Sequence, residues 1–193
     1  MPIDWEALGE RPVFFERNRV ARVYDGGMLF ADFFGDEPAD GKKPEEWIAS
    51  TVRALNRDST DPREGLSLVE GTDVPFRELL ERRGDRMLGP GGSFDVLVKA
   101  LDSAIRLPVQ AHPSPAFSQV HFHSPFGKTE MWLVLQTRPG ASIYYGFRDL
   151  LTKEQFARAV AKSETDRDAL EPLLNRTPVR PGEVYLILAR HVH

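Results

Sequence analysis

The stretch VYLILA at residues 184–189, together with SIYYGF at residues 142–147, indicates a fold built on β-strands. Both stretches are rich in Val, Ile, Tyr and Phe, which favour extended structure, and both have the usual length of a strand. Similar apolar runs between frequent Gly and Pro predict three more strands, at Met28–Phe34, Phe94–Val98 and Met131–Gln136. We therefore predict a mainly β fold, a sandwich or barrel of the jelly-roll kind with a few short helices.

Helical signals are fewer and occur in three places. Asp73 precedes Pro75 and an apolar pattern that is typical of a helix start. Thr152 and Gln155 have the spacing of a capping box, and a third short helix is predicted at Asp168–Leu174. Because the last two helices lie between strong strands, we expect one domain over residues 1–193, with a helical insertion around residues 151–175.

The composition excludes several classes of function. The 193 residues carry 25 basic and 29 acidic side chains, and this net charge of −4 predicts no large basic patch and argues against a nucleic-acid partner. An anionic small substrate is still allowed, because it needs only a few local Lys or Arg residues. The absence of cysteine excludes disulfides and thiolate metal sites, so a metal ion would need His, carboxylate or amide ligands. We find no signal-peptide pattern and no apolar run of membrane-spanning length, and we predict a cytoplasmic protein without membrane contact.

The histidines are distributed unevenly, since none occurs in the first 111 residues. The five positions are His112, His121, His123, His191 and His193. This distribution predicts a cluster of metal ligands in the second half of the chain. His121 and His123 flank Phe122 and are interpreted as surface or loop residues, with a gate over a substrate site as the alternative.

Two short segments place candidate ligands on shared faces. Alternation along a strand puts Gln110 beside His112, and Lys128 beside Glu130. An amide oxygen, an imidazole and a carboxylate suit a cation such as zinc. Taken one at a time, however, the first pair could be polar residues on a solvated face, and the second could be a surface ion pair at the start of a strand.

The third segment is the end of the last predicted strand. The apolar stretch 184–189 runs into Arg190-His191-Val192-His193, and the two imidazoles share a face if the strand continues. Two histidines in this spacing are a stronger ligand signal than one, although a chain end is often frayed. Together, the three segments predict a metal site that is shared between β-strands.

The motifs QAHP at residues 110–113 and GKTEMW at residues 127–132, in this order and at this separation, resemble the type I mannose-6-phosphate isomerase family of the cupin superfamily. Further similarity lies in EWIAS at residues 46–50, PGA at residues 139–141 and PGE at residues 181–183. The resemblance extends from Arg22 to the final residue.

This resemblance implies a cupin-type jelly-roll barrel and a zinc site with one ion per chain. The zinc ligands it implies are Gln110, His112, Glu130 and His193, and Lys128 matches the active-site lysine of the family. The implied activity is the interconversion of mannose 6-phosphate and fructose 6-phosphate through an enediol, with a sugar phosphate as the bound partner. Lys128 would take part in proton transfer or hold a developing oxyanion.

The chain departs from the family in places, and two other functions stay open. Pro108 stands where the family often has a serine that helps to hold the phosphate. Because the family continues beyond the position of His193, we expect the domain to be incomplete on its C-terminal side. The first alternative is a non-catalytic cupin module that binds a metal or a sugar. The second is an iron oxygenase, which would be favoured if His191 rather than Gln110 completed the site.

Overall fold

The computed structural model describes residues 3–57 and 59–193, which form two compact units. Unit 1 is Met1–Leu107 and unit 2 is Pro108–His193. The prediction of a single cupin-like domain over residues 1–193 stays a prediction. Among the residues described, no helix has both the length and the apolar character needed to cross a membrane, and the predicted cytoplasmic location stays a prediction.

The described residues of unit 1 form three helices and a three-stranded antiparallel sheet. In chain order the elements are α1 (Trp5–Gly9), β1 (Arg19–Val20), α2 (Phe30–Phe34), β2 (Glu45–Ile48), α3 (Phe76–Met87) and β3 (Val98–Leu101). The strand β2 lies in the middle, paired with β1 on one side and β3 on the other. The helix α3 begins after Pro75 and buries Phe76 and Leu79 against Leu8 and Val74, which forms the main core of this unit.

Unit 2 contains two helices and two antiparallel strand pairs. Its elements are α4 (Pro115–Phe122), β4 (Glu130–Leu133), β5 (Ser142–Phe147), α5 (Lys153–Ser163), β6 (Leu174–Pro178) and β7 (Val184–Ile187). The strand β4 pairs with β7, and β5 pairs with β6. The described residues therefore form β-sheets and a few helices, as predicted, but these three small sheets do not close into a barrel.

Several predicted elements are confirmed. SIYYGF forms β5, and the first four residues of VYLILA form β7. The capping box is present at the start of α5, where Thr152 Oγ1 accepts a hydrogen bond from Gln155 N and Gln155 Oε1 accepts one from Thr152 N. These elements depend on short-range patterns, which explains why the sequence predicts them well.

The predicted strand at Met28–Phe34 is wrong, because most of this segment forms the helix α2. Phe30 and Phe34 lie one helical turn apart and their rings are in contact, with centroids 5.5 Å apart. Gly35 ends the helix in the left-handed conformation, with φ 69°. At the other end, the buried carboxylate of Asp102 accepts hydrogen bonds from the backbone of Gly27 and Leu29.

Three other predictions are correct in type or place but differ in extent. The strand predicted at Phe94–Val98 occurs at β3, which shares only Val98 with it, and the one predicted at Met131–Gln136 occurs at β4. The helix predicted at Asp168–Leu174 is a single 3-10 turn, Glu171–Leu173. The helix α4 was not predicted from the sequence, although Ser114 caps it and Pro115 begins it.

Candidate metal centre

The two ends of unit 2 pair in a short antiparallel ladder that carries the candidate ligands. Gln110 N donates to His193 O over 2.8 Å, and His193 N donates to Gln110 O over 2.9 Å. Ala111 and Val192 form the adjacent bridge. Residues directly opposite each other in such a ladder have their side chains on the same face, so Gln110 and His193 share a face. His112, two residues after Gln110, lies on that face as well.

The strand β4 contributes the carboxylate. Glu130 lies opposite Ile187 in the register of β4 with β7, and Ile187 is completely buried. The alternate residues Met131 and Leu133 are exposed. Glu130 therefore lies on the covered face of this strand pair, together with Trp132, as the alternation of a strand requires.

The side chains of His112, Glu130 and His193 converge on a single point. Glu130 Oε2 lies 3.1 Å from His112 Nε2 and 3.9 Å from His193 Nε2. The three candidate ligand atoms all lie within 4.8 Å of one another. Ligand atoms around a tetrahedral zinc ion, at bond lengths near 2.1 Å, are about 3.4 Å apart. A small inward adjustment of these side chains would give that spacing.

Both imidazoles are buried and each has one nitrogen without a hydrogen bond. His112 and His193 are each 6% exposed, and Nε2 of each ring has no hydrogen-bond partner among the described residues. His112 Nε2 lies 3.1 Å from Glu130 Oε2, but this contact does not have the geometry of a hydrogen bond. A buried polar atom without a partner is energetically costly. Two such atoms beside one carboxylate form a group that could hold a metal ion.

The tautomer of His193 is set by the backbone. His193 Nδ1 lies 3.0 Å from the carbonyl oxygen of His191, so a proton on Nδ1 makes this hydrogen bond. The lone pair of Nε2 is then directed into the cluster, as in the histidine ligands of known zinc sites. The ring of Trp132 packs against the imidazole of His193 with centroids 5.6 Å apart, which limits its rotation.

Electrostatics keep Glu130 ionised. Lys128 Nζ lies 2.6 Å from Glu130 Oε1, and Trp132 Nε1 donates to Glu130 Oε2 over 3.1 Å. Burial alone would raise the pKa of Glu130, but the hydrogen bond and charge of Lys128, with a contribution from His112, lower it to about 2. Burial also lowers the pKa of His112 from 6.5, against the opposing effect of Glu130. An ionised carboxylate and a neutral imidazole are the forms that bind a metal ion.

The structure places the predicted site residues in or beside one cluster. His112, Glu130 and His193 meet directly, Gln110 shares the face of His193, and Lys128 contacts Glu130. Their roles as ligands and catalyst stay predictions.

The other three histidines lie outside this cluster. His191 is exposed and stacks on Tyr145, with ring centroids 5.6 Å apart and planes 5° from parallel. His121 lies near the end of α4 against Phe117, and His123 caps the end of the same helix. The gate function considered for His121 and His123 stays untested.

Trp132 is the residue of this site that the sequence interpretation did not identify. Its indole N–H donates a hydrogen bond to Glu130 Oε2 over 3.1 Å. The available signal was its position two residues after Glu130, since this spacing places both side chains on one face of β4.

Comparison with known proteins confirms the resemblance found in the sequence. No protein-family model matches the chain. Mannose-6-phosphate isomerase ManA of Bacillus subtilis is 33% identical over 183 residues, which are 94% of this chain and 53% of that protein. The mannose-6-phosphate isomerase of Streptococcus mutans is 28% identical over 186 residues, which are 94% of this chain and 53% of that protein. The chain thus spans about half the length of the curated relatives it matches.

Solved structures show the same likeness in fold. The crystal structure of the mannose 6-phosphate isomerase from Bacillus subtilis matches with a TM-score of 0.68 at 22% identity, over 95% of this chain and 55% of that one. A phosphomannose isomerase variant from Salmonella typhimurium matches with a TM-score of 0.68 at 16% identity, over 93% of this chain and 64% of that one. At these identities the comparison establishes similarity of fold.

Proposed function

We propose that this chain is the metal-binding part of a mannose-6-phosphate isomerase, with one zinc ion bound by Gln110, His112, Glu130 and His193. The observation that carries the proposal is the convergence of two buried imidazole nitrogens, both without hydrogen bonds, on one oxygen of Glu130. The identity of 33% to an enzyme of this name over 94% of the chain supports the choice of activity.

The donor set fits zinc. Two imidazoles and one carboxylate are ligands that catalytic zinc sites use, usually with one position left for water or substrate. Gln110 would add a neutral amide oxygen from the face that it shares with His193. The same two imidazoles and carboxylate are also known ligands of non-haem iron, and Gln110 as a further ligand favours zinc over that alternative.

The proposed reaction moves a proton between C1 and C2 of a sugar phosphate through an enediol, and so interconverts mannose 6-phosphate and fructose 6-phosphate. When bound, zinc would supply a Lewis acid that polarises a substrate oxygen. Lys128 is the residue of this chain that is best placed to help, because its ammonium group is half-exposed and lies beside the cluster. There it could donate a hydrogen bond to a substrate oxygen or transfer a proton.

We also infer that the strands of unit 2 belong to a cupin-type jelly-roll barrel. The segment 190–193 pairs with residues 110–112, and Val192 O accepts a hydrogen bond from Gly146 N of β5 over 2.8 Å. The strand β5 in turn pairs with β6. This succession of hydrogen-bonded segments joins the candidate ligands to a larger sheet, as a jelly roll requires.

The test is turnover of mannose 6-phosphate by the protein as purified, after treatment with a chelator, and after zinc is restored. We expect activity that is lost with zinc and returns with it. Glu130→Gln should abolish activity, whereas Glu164→Gln, which removes the same charge at the end of α5, should retain it. Stoichiometric zinc binding without turnover would show that the metal site is real but that this chain is not sufficient for the reaction, and would favour a non-catalytic metal-binding module. Absence of zinc binding would refute both.

A further inference from the structure

Unit 1 contains a cleft whose lining includes none of the candidate metal ligands. Its volume is about 930 Å³, and residues between 17 and 23, between 55 and 68, and Lys43 line it. Small-molecule sites in proteins usually have volumes of about 300–1,000 Å³. The cleft is therefore large enough for a metabolite and too large to be a packing defect.

The lining of the cleft contains more basic than acidic residues, although the whole chain has a net charge of −4. Its basic residues are Arg17, Arg19, Arg22, Lys43, Arg57 and Arg63. Among the described residues, the lining also includes the carboxylates Asp61 and Glu64. Two of the six cations, Arg19 and Arg22, are paired with carboxylates outside the lining, so the unpaired positive charge is smaller than six basic residues alone would give.

The arginines of β1 and of the segment after it are committed to the fold. Arg19 pairs with Asp36 and, at 2.8 Å, with Glu46. Arg22 Nε lies 3.0 Å from the buried carboxylate of Glu45. The charges of these two cations are balanced by their carboxylate partners, and they are not available to hold a ligand directly.

Arg57 and Arg63 differ from Arg19 and Arg22 in their exposure and in their ion pairing. Both are exposed, and neither has an ion-pair partner within the described part of the chain, residues 3–57 and 59–193. Two guanidinium groups without carboxylate partners on the lining of one cleft are suited to a phosphate group, which they can bind through paired hydrogen bonds.

The cleft also has fixed walls and an apolar part. Glu64 Oε1 accepts hydrogen bonds from Asn56 Nδ2 over 2.9 Å and from Ala21 N over 3.3 Å, which ties the loop to the segment after β1. Val23 and Leu55 line the same cleft and are 86% and 91% exposed. Apolar side chains beside unpaired cations suit a ligand that combines a charged group with a less polar body.

We propose that this cleft binds a small phosphate ester, and that Arg57 and Arg63 contact its phosphate group. All lining residues lie within unit 1, so the proposal does not depend on the zinc site or on the isomerase activity. It can therefore hold or fail independently of the proposed function.

The experiment is calorimetric titration of the metal-free full chain with adenosine 5′-monophosphate, in the presence of a chelator so that no zinc site can bind the phosphate. Uncharged adenosine is the parallel probe. We expect saturable binding of one adenosine monophosphate per chain and no detectable binding of adenosine. Because hydrogen bonds to charged groups are the strong ones, the double variant Arg57→Gln/Arg63→Gln should bind about tenfold more weakly or worse.

The matched control is Arg11→Gln/Arg53→Gln, which removes the same charge from exposed positions of unit 1 that do not line the cleft. This control should bind like the wild type. The proposal is overturned if adenosine monophosphate does not bind, if adenosine binds equally well, or if the two double variants behave alike. Affinity that rises with the length of a single-stranded RNA probe, and exceeds that for the monophosphate, would also overturn it.

Discussion

Replacement of Lys128 by methionine should raise the pKa of Glu130, the carboxylate at the centre of the candidate metal site. Burial acts to raise this pKa above 4.5, but Lys128, together with His112, lowers it to about 2. The difference corresponds to about 3 kcal/mol of stabilisation by the ionised carboxylate in the metal-free protein. Lys128 is the main lowering influence, but its half-exposed ammonium is screened by solvent, so its own share is below this total.

The stabilisation should depend on pH in a defined direction. A carboxylate with a lowered pKa in the folded state stabilises the fold fully above pH 4.5 and loses this effect as the pH falls towards about 2. Lys128→Met should move this loss to higher pH. The variant should therefore be less stable than the wild type near neutral pH, and the difference should shrink as Glu130 becomes protonated in both proteins.

The assay is NMR titration of the metal-free protein with glutamate labelled at Cδ, which reports the ionisation of Glu130 directly. Lys153→Met, at an exposed position at the start of α5, removes the same charge and should leave the pKa of Glu130 unchanged. An equal pKa for Glu130 in the wild type and in Lys128→Met would refute the role assigned to Lys128.

Three further predictions concern the site and the fold. Trp132→Phe removes the hydrogen bond to Glu130 and should weaken zinc binding about 10–100-fold in competition with a fluorescent chelator, whereas unchanged affinity would show that the indole does not position the carboxylate. Because burial lowers the pKa of His112 below 6.5, an NMR titration of the metal-free protein should find this imidazole mainly neutral at pH 6.5, and a mainly protonated His112 at that pH would contradict this. Thr152→Ala removes the acceptor for Gln155 N and should lower the free energy of unfolding by about 1 kcal/mol in urea, so an unchanged midpoint would mean that α5 does not depend on its cap.

Local patterns predicted the parts of the fold that depend on near neighbours. The strand β7 and the capping box of α5 are examples. The helix α2 was mistaken for a strand because one of its stabilising contacts comes from Asp102, more than seventy residues later in the chain. No alternation of apolar residues reveals a contact over that separation.

In the candidate site, too, the features that depend on near neighbours were predicted and those that depend on the three-dimensional path of the chain were not. Strand alternation correctly placed Lys128 beside Glu130, whose charged groups lie 2.6 Å apart, whereas its placement of the Gln110 side chain with His112 stays a prediction. It could not separate His191 from His193, because an extended chain would put both on one face. The backbone departs from extension at Arg190, where φ is 71°, and the exposed His191 stacks on Tyr145 while His193 enters the cluster.

The zinc site is tested most directly by the metal content of the purified protein together with X-ray absorption at the zinc edge. The account predicts one zinc ion per chain, with two imidazole ligands and oxygen ligands at bond lengths of about 2.0–2.2 Å. Glu130→Gln should reduce the bound zinc, and Glu164→Gln should not. A protein that binds no zinc, that binds iron in preference, or whose zinc has fewer than two imidazole ligands would contradict the account.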